Sequence, residues 1–205
     1  MGLDFEFVNG EGPVVHHPIR TLEQIQALRT DRVEELQYVS EAITKVAKHF
    51  AAPRPDGDQL GIIGFCGAPF TLASYMIEGG SSRNYVEAKK MMYANDGAWP
   101  LLMEKLNTVL VAYAQQQVEA GADCIQIFDS WVGSLSVTDY RQYCLAPTTE
   151  LITRIKALGV PVIYFGVDTA SLLPTFRETT ADVLGLDWRI PLDEGIRAAG
   201  HACAV

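Results

Sequence analysis

Apolar and polar positions along this chain switch repeatedly between a strand period and a helix period. The opening Leu3-Asp4-Phe5-Glu6-Phe7-Val8 alternates with period two, as a half-exposed strand does. Asn9-Gly10-Glu11-Gly12-Pro13 then signals a turn. Thr21 and Gln24 form a capping box, in its glutamine version, for a short helix through Leu28. Asp31 is placed to cap a second helix, whose apolar positions Val33, Leu36, Val39, Ile43 and Val46 keep helical spacing. Pro53 to Asp58 reads as a loop. Leu60-Gly61-Ile62-Ile63 reads as a buried strand that breaks at Gly64 into a glycine-lined loop, followed by a short helix from Phe70 to Ile77.

The second half repeats one unit. Asn84 to Tyr93 is helical, and a long helix runs from Trp99 to Ala120, starting near Asp96. Gly121-Ala122-Asp123 joins it to a strand over Cys124–Phe128. Thr138 caps a helical region that reaches Leu158, and Pro147 breaks or kinks it by removing a backbone donor. Strands follow at Val160–Phe165 and Asp182–Leu186, with helices at Ser171–Thr179 and Leu192–Ala199. The end, His201-Ala202-Cys203-Ala204-Val205, starts one more strand. Short strands apolar on both faces, alternating with helices, predict a parallel α/β fold. Periodicity alone leaves an open sheet and a barrel both possible. No dinucleotide fingerprint or phosphate loop follows a strand, which weighs against the open sheet. Residues 1–205 read as one domain, without internal repeats beyond the βα period.

Composition narrows the function classes. Hydrophobic residues make up 48% of the chain, enough for a sizeable core. A formal charge of −9 speaks against nonspecific nucleic-acid binding. No apolar run approaches the ~20 residues of a membrane helix, and no signal peptide is visible, so the expectation is a cytoplasmic protein off the membrane. Cys66, Cys124, Cys144 and Cys203 form no CxxC pair, and three of them lie in apolar runs and read as small buried hydrophobes. His16-His17 makes a poor chelate and reads as a solvated loop.

Chemistry in α/β folds collects at the carboxyl ends of parallel strands. Tyr75 follows the first such strand and offers a phenolic donor; its bland alternative is a core tyrosine. Asp129-Ser130 follows the second strand. Ser130 can donate to a carboxylate, while Asp129, suited to holding a nearby backbone donor, ranks below it; the pair is also ordinary turn chemistry. Phe65, Asp168, Asp187 and Trp188 lie at the same end. Arg83 is the positive charge nearest the glycine-lined loop, and a solvated arginine is its simplest reading.

The run Gly67-Ala68-Pro69, Thr71-Leu72, Tyr75-Met76, Glu78-Gly79-Gly80 resembles the corresponding segment of the uroporphyrinogen decarboxylase family. Further matches stand at Gln126-Ile127-Phe128-Asp129-Ser130-Trp131-Val132-Gly133 and at Val183-Leu184-Gly185-Leu186-Asp187-Trp188. The resemblance covers essentially the whole chain but only the middle of the family's length. It implies an incomplete (β/α)8 TIM-type barrel of about five consecutive βα units, since whole barrels need ~250 residues. It implies removal of the four acetate carboxyls of a tetrapyrrole, uroporphyrinogen III to coproporphyrinogen III in haem biosynthesis, with no cofactor and no metal. It gives substrate contacts to Tyr75 and Ser130, packing on the macrocycle to Phe65, and a homodimer to the full-length enzyme. The family's arginine clamps and its aspartate fall before Met1 and a substrate-contacting histidine falls after Val205, so the catalytic residues are expected outside this chain. The chain alone is then expected to be inactive and poorly stable.

Two other readings remain open at this stage. Cobalamin-dependent barrel methyltransferases resemble the same superfamily and bind zinc through a His-x-Cys pair on a strand. Ile163 and Phe165 hold those places here and carry no donor. A noncatalytic, truncated product is the other.

Overall fold

The computed structural model describes residues 1–10, 12–51, 60–200 and 204–205. The chain begins with β1 (Phe5–Val8) and β2 (Gly12–Val15), an antiparallel pair forming its own two-stranded sheet. Phe5 and Phe7 are both exposed, so β1 has no buried face, and its alternation marks a protruding hairpin rather than a strand of the main sheet. Helix α1 (Leu22–Ala27) starts with the expected capping box. Asp31 does not cap the second helix. It accepts hydrogen bonds from Arg29, while a 3₁₀ turn at Val33–Leu36 leads uncapped into α2 (Gln37–Phe50). The Pro53–Asp58 loop lies outside the described residues.

The main sheet is parallel. Strands β3 (Ile63–Gly67), β4 (Cys124–Asp129), β5 (Val162–Gly166) and β6 (Val183–Gly185) pair in sequence order. An order that never reverses belongs to a barrel wall, not to a doubly wound sheet. Ala204 adds a parallel bridge to Val183, as the expected start of a further strand requires; His201 to Cys203 lie outside the described residues. Among the described residues, four strands plus this bridge account for the expected five, while the N-terminal strand pairs apart from them in its own hairpin.

Strand β3 corrects the sequence reading. It begins at Ile63, where the expected strand Leu60–Ile63 ended, and runs on through Phe65, expected at the strand's end, to Gly67. Gly64 is in the strand because a Cβ there would sit 2.8 Å from Ile125 Cδ1 and 2.9 Å from Gln117 Oε1. The adjacent Phe65 N–H donates to Gln117 Oε1 and its C=O accepts from Gln117 Nε2, both at 2.9 Å. Gln117 is fully buried, so one side-chain amide satisfies a peptide on the open side of this edge strand.

Helices cover one face of the sheet. Helix α3 (Pro69–Glu78) follows β3, then come α4 (Val86–Tyr93) and α5 (Ala98–Glu119). Asp96 Oδ1 accepts from Ala98 N–H at the start of α5. After β4, Ser136 rather than Thr138 caps α6 (Val137–Asp139), its hydroxyl accepting from Asp139 N–H. A π-helical turn, Tyr140–Cys144, then leads into α7 (Leu145–Lys156). The expected break at Pro147 shows as a redirected acceptor. Pro147 has no N–H for the Tyr143 carbonyl four residues back, and that carbonyl accepts from Trp99 Nε1 at 3.0 Å instead. Helices α8 (Leu173–Phe176), continued by a 3₁₀ turn, and α9 (Leu192–Ala199) complete the cover.

The core lies between this layer and the buried face of the strands: Cys66, Ile125, Ile127, Val162, Tyr164 and Leu184. The strands were read as covered on both faces, but the opposite face is open. Ile63 and Phe65 are 55% and 58% exposed. That face is the inner wall of a barrel whose remaining strands are absent here. Cys66 and Cys144 are buried, as expected, whereas Cys124 is half-buried; burial pushes the Cys66 thiol up to about 12, and Cys203 lies outside the described residues. His16 and His17 are both exposed.

Candidate active site

Strand parity sorts the candidates. Along β4, Ile125, Ile127 and Asp129 turn toward the helices, whereas Gln126 and Phe128 turn toward the open inner face. Phe65 on β3 and Phe165 on β5 flank Phe128, each edge-on with ring centres 5.9 Å away. Three aromatic rings therefore run across the inner wall at neighbouring strand ends.

Tyr75 lies on α3, half-buried. Its ring meets Trp131 edge-on at 5.8 Å, and Tyr85 lies against the same indole at 5.8 Å. Burial, with Tyr75 and Glu78 nearby, pushes the Tyr85 phenol up to about 12. Ser130 is half-buried and forms no side-chain hydrogen bond among the described residues. It stands in the chain between Phe128, which Phe65 touches, and Trp131, which Tyr75 touches. Phe65 thus meets the end of β4 and Tyr75 the turn that follows it, with Ser130 between those two contacts in the chain.

Asp129 departs from its expected place. It sits at the strand's carboxyl end but is fully buried on the helix side, facing away from the inner wall. Its Oδ1 accepts from the Thr71 hydroxyl and its Oδ2 from the Tyr164 hydroxyl, each at 2.7 Å. Tyr164 and Tyr140 bring their hydroxyls to 3.2 Å. Thr71 Oγ1 also accepts from Trp131 N–H at 3.2 Å. Burial pushes the Asp129 carboxyl up to about 6, against the opposing pull of the Thr71 and Tyr164 hydroxyls and the Thr71 backbone amide. A strand periodicity of two contained the signal for this placement. Thr71 and Tyr164 gave none, because their partner is set by register between distant segments.

The sign of the resulting pH effect comes from proton counting. Asp129 holds a proton in the folded state up to about pH 6, whereas in the unfolded chain it ionises near the ordinary aspartate value of 3.8. The folded state binds more protons between those values, so this group's contribution to stability falls as pH rises from about 4 to about 6. The full change is on the order of 3 kcal/mol. Urea unfolding of wild type and Asp129→Asn between pH 4 and pH 7 measures it. Their stability difference is expected to shift against wild type with rising pH, and a difference that stays constant contradicts the placement.

The later strand ends are joined by Asp187. Its Oδ2 accepts from Asp168 N–H at 2.7 Å and from Arg189 Nη1 at 2.6 Å, and its Oδ1 from Arg189 N–H. Although burial opposes it, these bonds and the Arg189 charge hold the carboxyl below its ordinary value. Asp168 itself is exposed and contributes its backbone, with φ at 60°. Trp188 is 85% exposed, with the Arg189 guanidinium 4.8 Å above its ring. Arg189 is a cation at the strand ends that sequence reading missed; Arg83 is exposed and unpaired among the described residues. A surface cavity of about 600 Å³ lies elsewhere, among α4, α5 and α7, and includes Met91, Trp99 and Glu150.

The chain is 58% identical to a uroporphyrinogen decarboxylase of Koribacter versatilis over 206 residues, covering all of this chain and 57% of that protein. It is 45% identical to one of Solibacter usitatus over 205 residues, covering all of this chain and 58% of that protein. The chain therefore spans a little over half the length of these curated relatives. Among solved structures, a methyltransferase from Methanosarcina mazei superposes with a TM-score of 0.79 over 99% of this chain and 58% of its own, at 20% identity. That likeness concerns the fold alone. The family model described as uroporphyrinogen decarboxylase (URO-D) matches residues 1–205. From its first residue to its last, this chain belongs to the uroporphyrinogen decarboxylase family.

Proposed function

We propose that residues 1–205 form the central part of a uroporphyrinogen decarboxylase and supply one wall of its active site. The observation that carries the reading is the end-to-end family match. The contacts of Phe65 with the end of β4 and of Tyr75 with the turn after it, where Ser130 stands, support their assigned roles. Phe65 presents an apolar ring on the open inner face, where a tetrapyrrole macrocycle can stack. Tyr75 and Ser130 bring hydroxyls that donate to its carboxylates. The chemistry asked of such a site is modest. A pyrrole ring protonated at the carbon next to the one bearing the acetate arm accepts the electron pair left as carbon dioxide departs. The exocyclic methylene so formed becomes a methyl group when it takes up a proton and the ring loses the one it gained. The ring is its own electron sink, so the protein supplies orientation and electrostatics without a cofactor.

On this reading the remaining charge clamps and the principal acid come from parts of the enzyme outside residues 1–205. The chain alone binds the substrate's carboxylates poorly, because its charge is −9 and its inner face is open. A cytoplasmic, homodimeric full-length enzyme that acts away from membrane and nucleic acid belongs to the same proposal. No described helix is long and apolar enough to cross a membrane. The methyltransferase reading gains nothing from the fold likeness, since Ile163 and Phe165 lie where that family places zinc ligands.

The roles are testable in a full-length enzyme in which residues 1–205 replace the matching segment of the Koribacter versatilis relative. There Tyr75→Phe removes one hydrogen bond to a charged group, worth about 1.5–3 kcal/mol when buried. A loss of roughly tenfold to a hundredfold in kcat/KM for uroporphyrinogen is expected by the ~1.4 kcal/mol-per-decade relation. Unchanged kinetics would remove Tyr75 from the site.

A further inference from the structure

We propose that Asp129, acting through Thr71, is a positioning residue that sets the turn carrying Ser130 and Trp131, and through Trp131 the ring of Tyr75. The inference rests on the decarboxylase reading only for its kinetic consequence; the hydrogen-bond relay stands on the geometry.

Three links make the relay. Asp129 Oδ1 accepts a hydrogen bond from the Thr71 hydroxyl, 2.7 Å between the oxygens. That leaves the Thr71 lone pairs free, and one accepts the Trp131 N–H at 3.2 Å. Trp131 then offers its indole to the edge of Tyr75. Helix α3 and the turn after β4 are 60 residues apart in sequence at the Thr71–Trp131 bond. Thr71 and Tyr75 lie four residues apart on α3, so the same helix face meets the turn twice, once through the hydroxyl and once through the ring. Asp129 is in turn anchored from β5 by Tyr164, so its carboxylate cannot rotate away from Thr71 without abandoning a second bond.

The titratable groups that face Asp129 are Tyr164 from β5, and Tyr140 and Cys144 from the π-helical turn; Thr71 faces it from α3. Burial raises all three of those groups well above their ordinary values, so they stay neutral in the physiological range. Asp129 is the member of the cluster whose charge changes near neutrality. When it takes up a proton, one carboxyl oxygen becomes a donor, and the direction of the Thr71 hydroxyl is no longer imposed. Low pH is thereby expected to loosen the turn before the fold fails.

The test uses the same full-length chimera and reads two quantities: amide hydrogen exchange at Trp131, and kcat/KM for uroporphyrinogen against pH. Thr71→Val is expected to speed Trp131 exchange and lower kcat/KM, each at least tenfold. Thr71→Ser, which restores the hydroxyl, is expected to recover both to within about threefold. Wild type is expected to lose kcat/KM below about pH 6, and Asp129→Asn to abolish that acid limb. Overturning results are wild-type kcat/KM in Thr71→Val, a Thr71→Ser variant as impaired as Thr71→Val, or an acid limb unchanged in Asp129→Asn. If the unsubstituted chimera folds but does not decarboxylate, the decarboxylase reading fails by itself. The exchange data still decide the relay, and unaltered Trp131 exchange in Thr71→Val would overturn it.

Discussion

Gly133→Ala is expected to destabilise the protein by about 3 kcal/mol, at the upper end of what overpacking a tight contact costs. A Cβ at this position would sit 2.6 Å from the Asp168 carbonyl oxygen and nearer still to that of Val167. Both obstacles are backbone, so no side chain can swing aside. Either the loop after β5 retreats or the turn after β4 does. The first move strains the Asp168 N–H bond to Asp187; the second displaces the turn that holds Ser130 and Trp131. Stability and site geometry should therefore suffer together. Chemical denaturation of the variant in the full-length chimera measures the first, and kcat/KM for uroporphyrinogen the second. A variant as stable as wild type would mean that the two strand-end loops are farther apart than the structure has them.

Tyr164→Phe is expected to cost about 2 kcal/mol at pH 8, because it takes one of two hydroxyl donors from a buried, ionised carboxylate. Asp129 keeps Thr71 but loses the 2.7 Å bond to Tyr164, and Tyr140 loses its 3.2 Å neighbour. The ring itself still fills its place against Phe176, 4.5 Å between centres, so no cavity complicates the result. Removing a donor raises the Asp129 carboxyl further. The penalty should accordingly shrink as pH falls through 6 and the carboxyl takes up its proton. Urea unfolding at pH 5 and pH 8 checks this; an equal penalty at both would show that Asp129 is not ionised in the folded state at pH 8.

The order of elements was legible in the chain because each reported on its own local sequence. The capping box at Thr21 and the limits of α9, Leu192 to Ala199, came from spacing alone. The errors fell where a distant partner decides the outcome. Gly64 and Gly67 read as turn residues, yet they belong to β3, where Gly64 is required by the close approach of Ile125 and Gln117. Asp31 had the chemistry of a cap but was drawn off by Arg29. The open inner face could not be read from strands that are apolar throughout, since such strands look alike whether one face or both are covered. The proposed site residues Tyr75, Ser130 and Phe65 come from the family resemblance. The Asp129–Thr71–Tyr164 cluster was not, because nothing local in Thr71 or Tyr164 names a partner 58 or 35 residues away.

The central claim is that these residues are working parts of a decarboxylase for uroporphyrinogen. The most direct measurement is turnover by the chimera in which residues 1–205 replace the matching segment of the 58% identical Koribacter versatilis relative. Product analysis of an anaerobic reaction should show uroporphyrinogen converted to coproporphyrinogen at a rate within about tenfold of the parent enzyme, since Phe65, Tyr75 and Ser130 would then line the completed barrel. A soluble, cooperatively melting chimera that leaves uroporphyrinogen intact would contradict the claim.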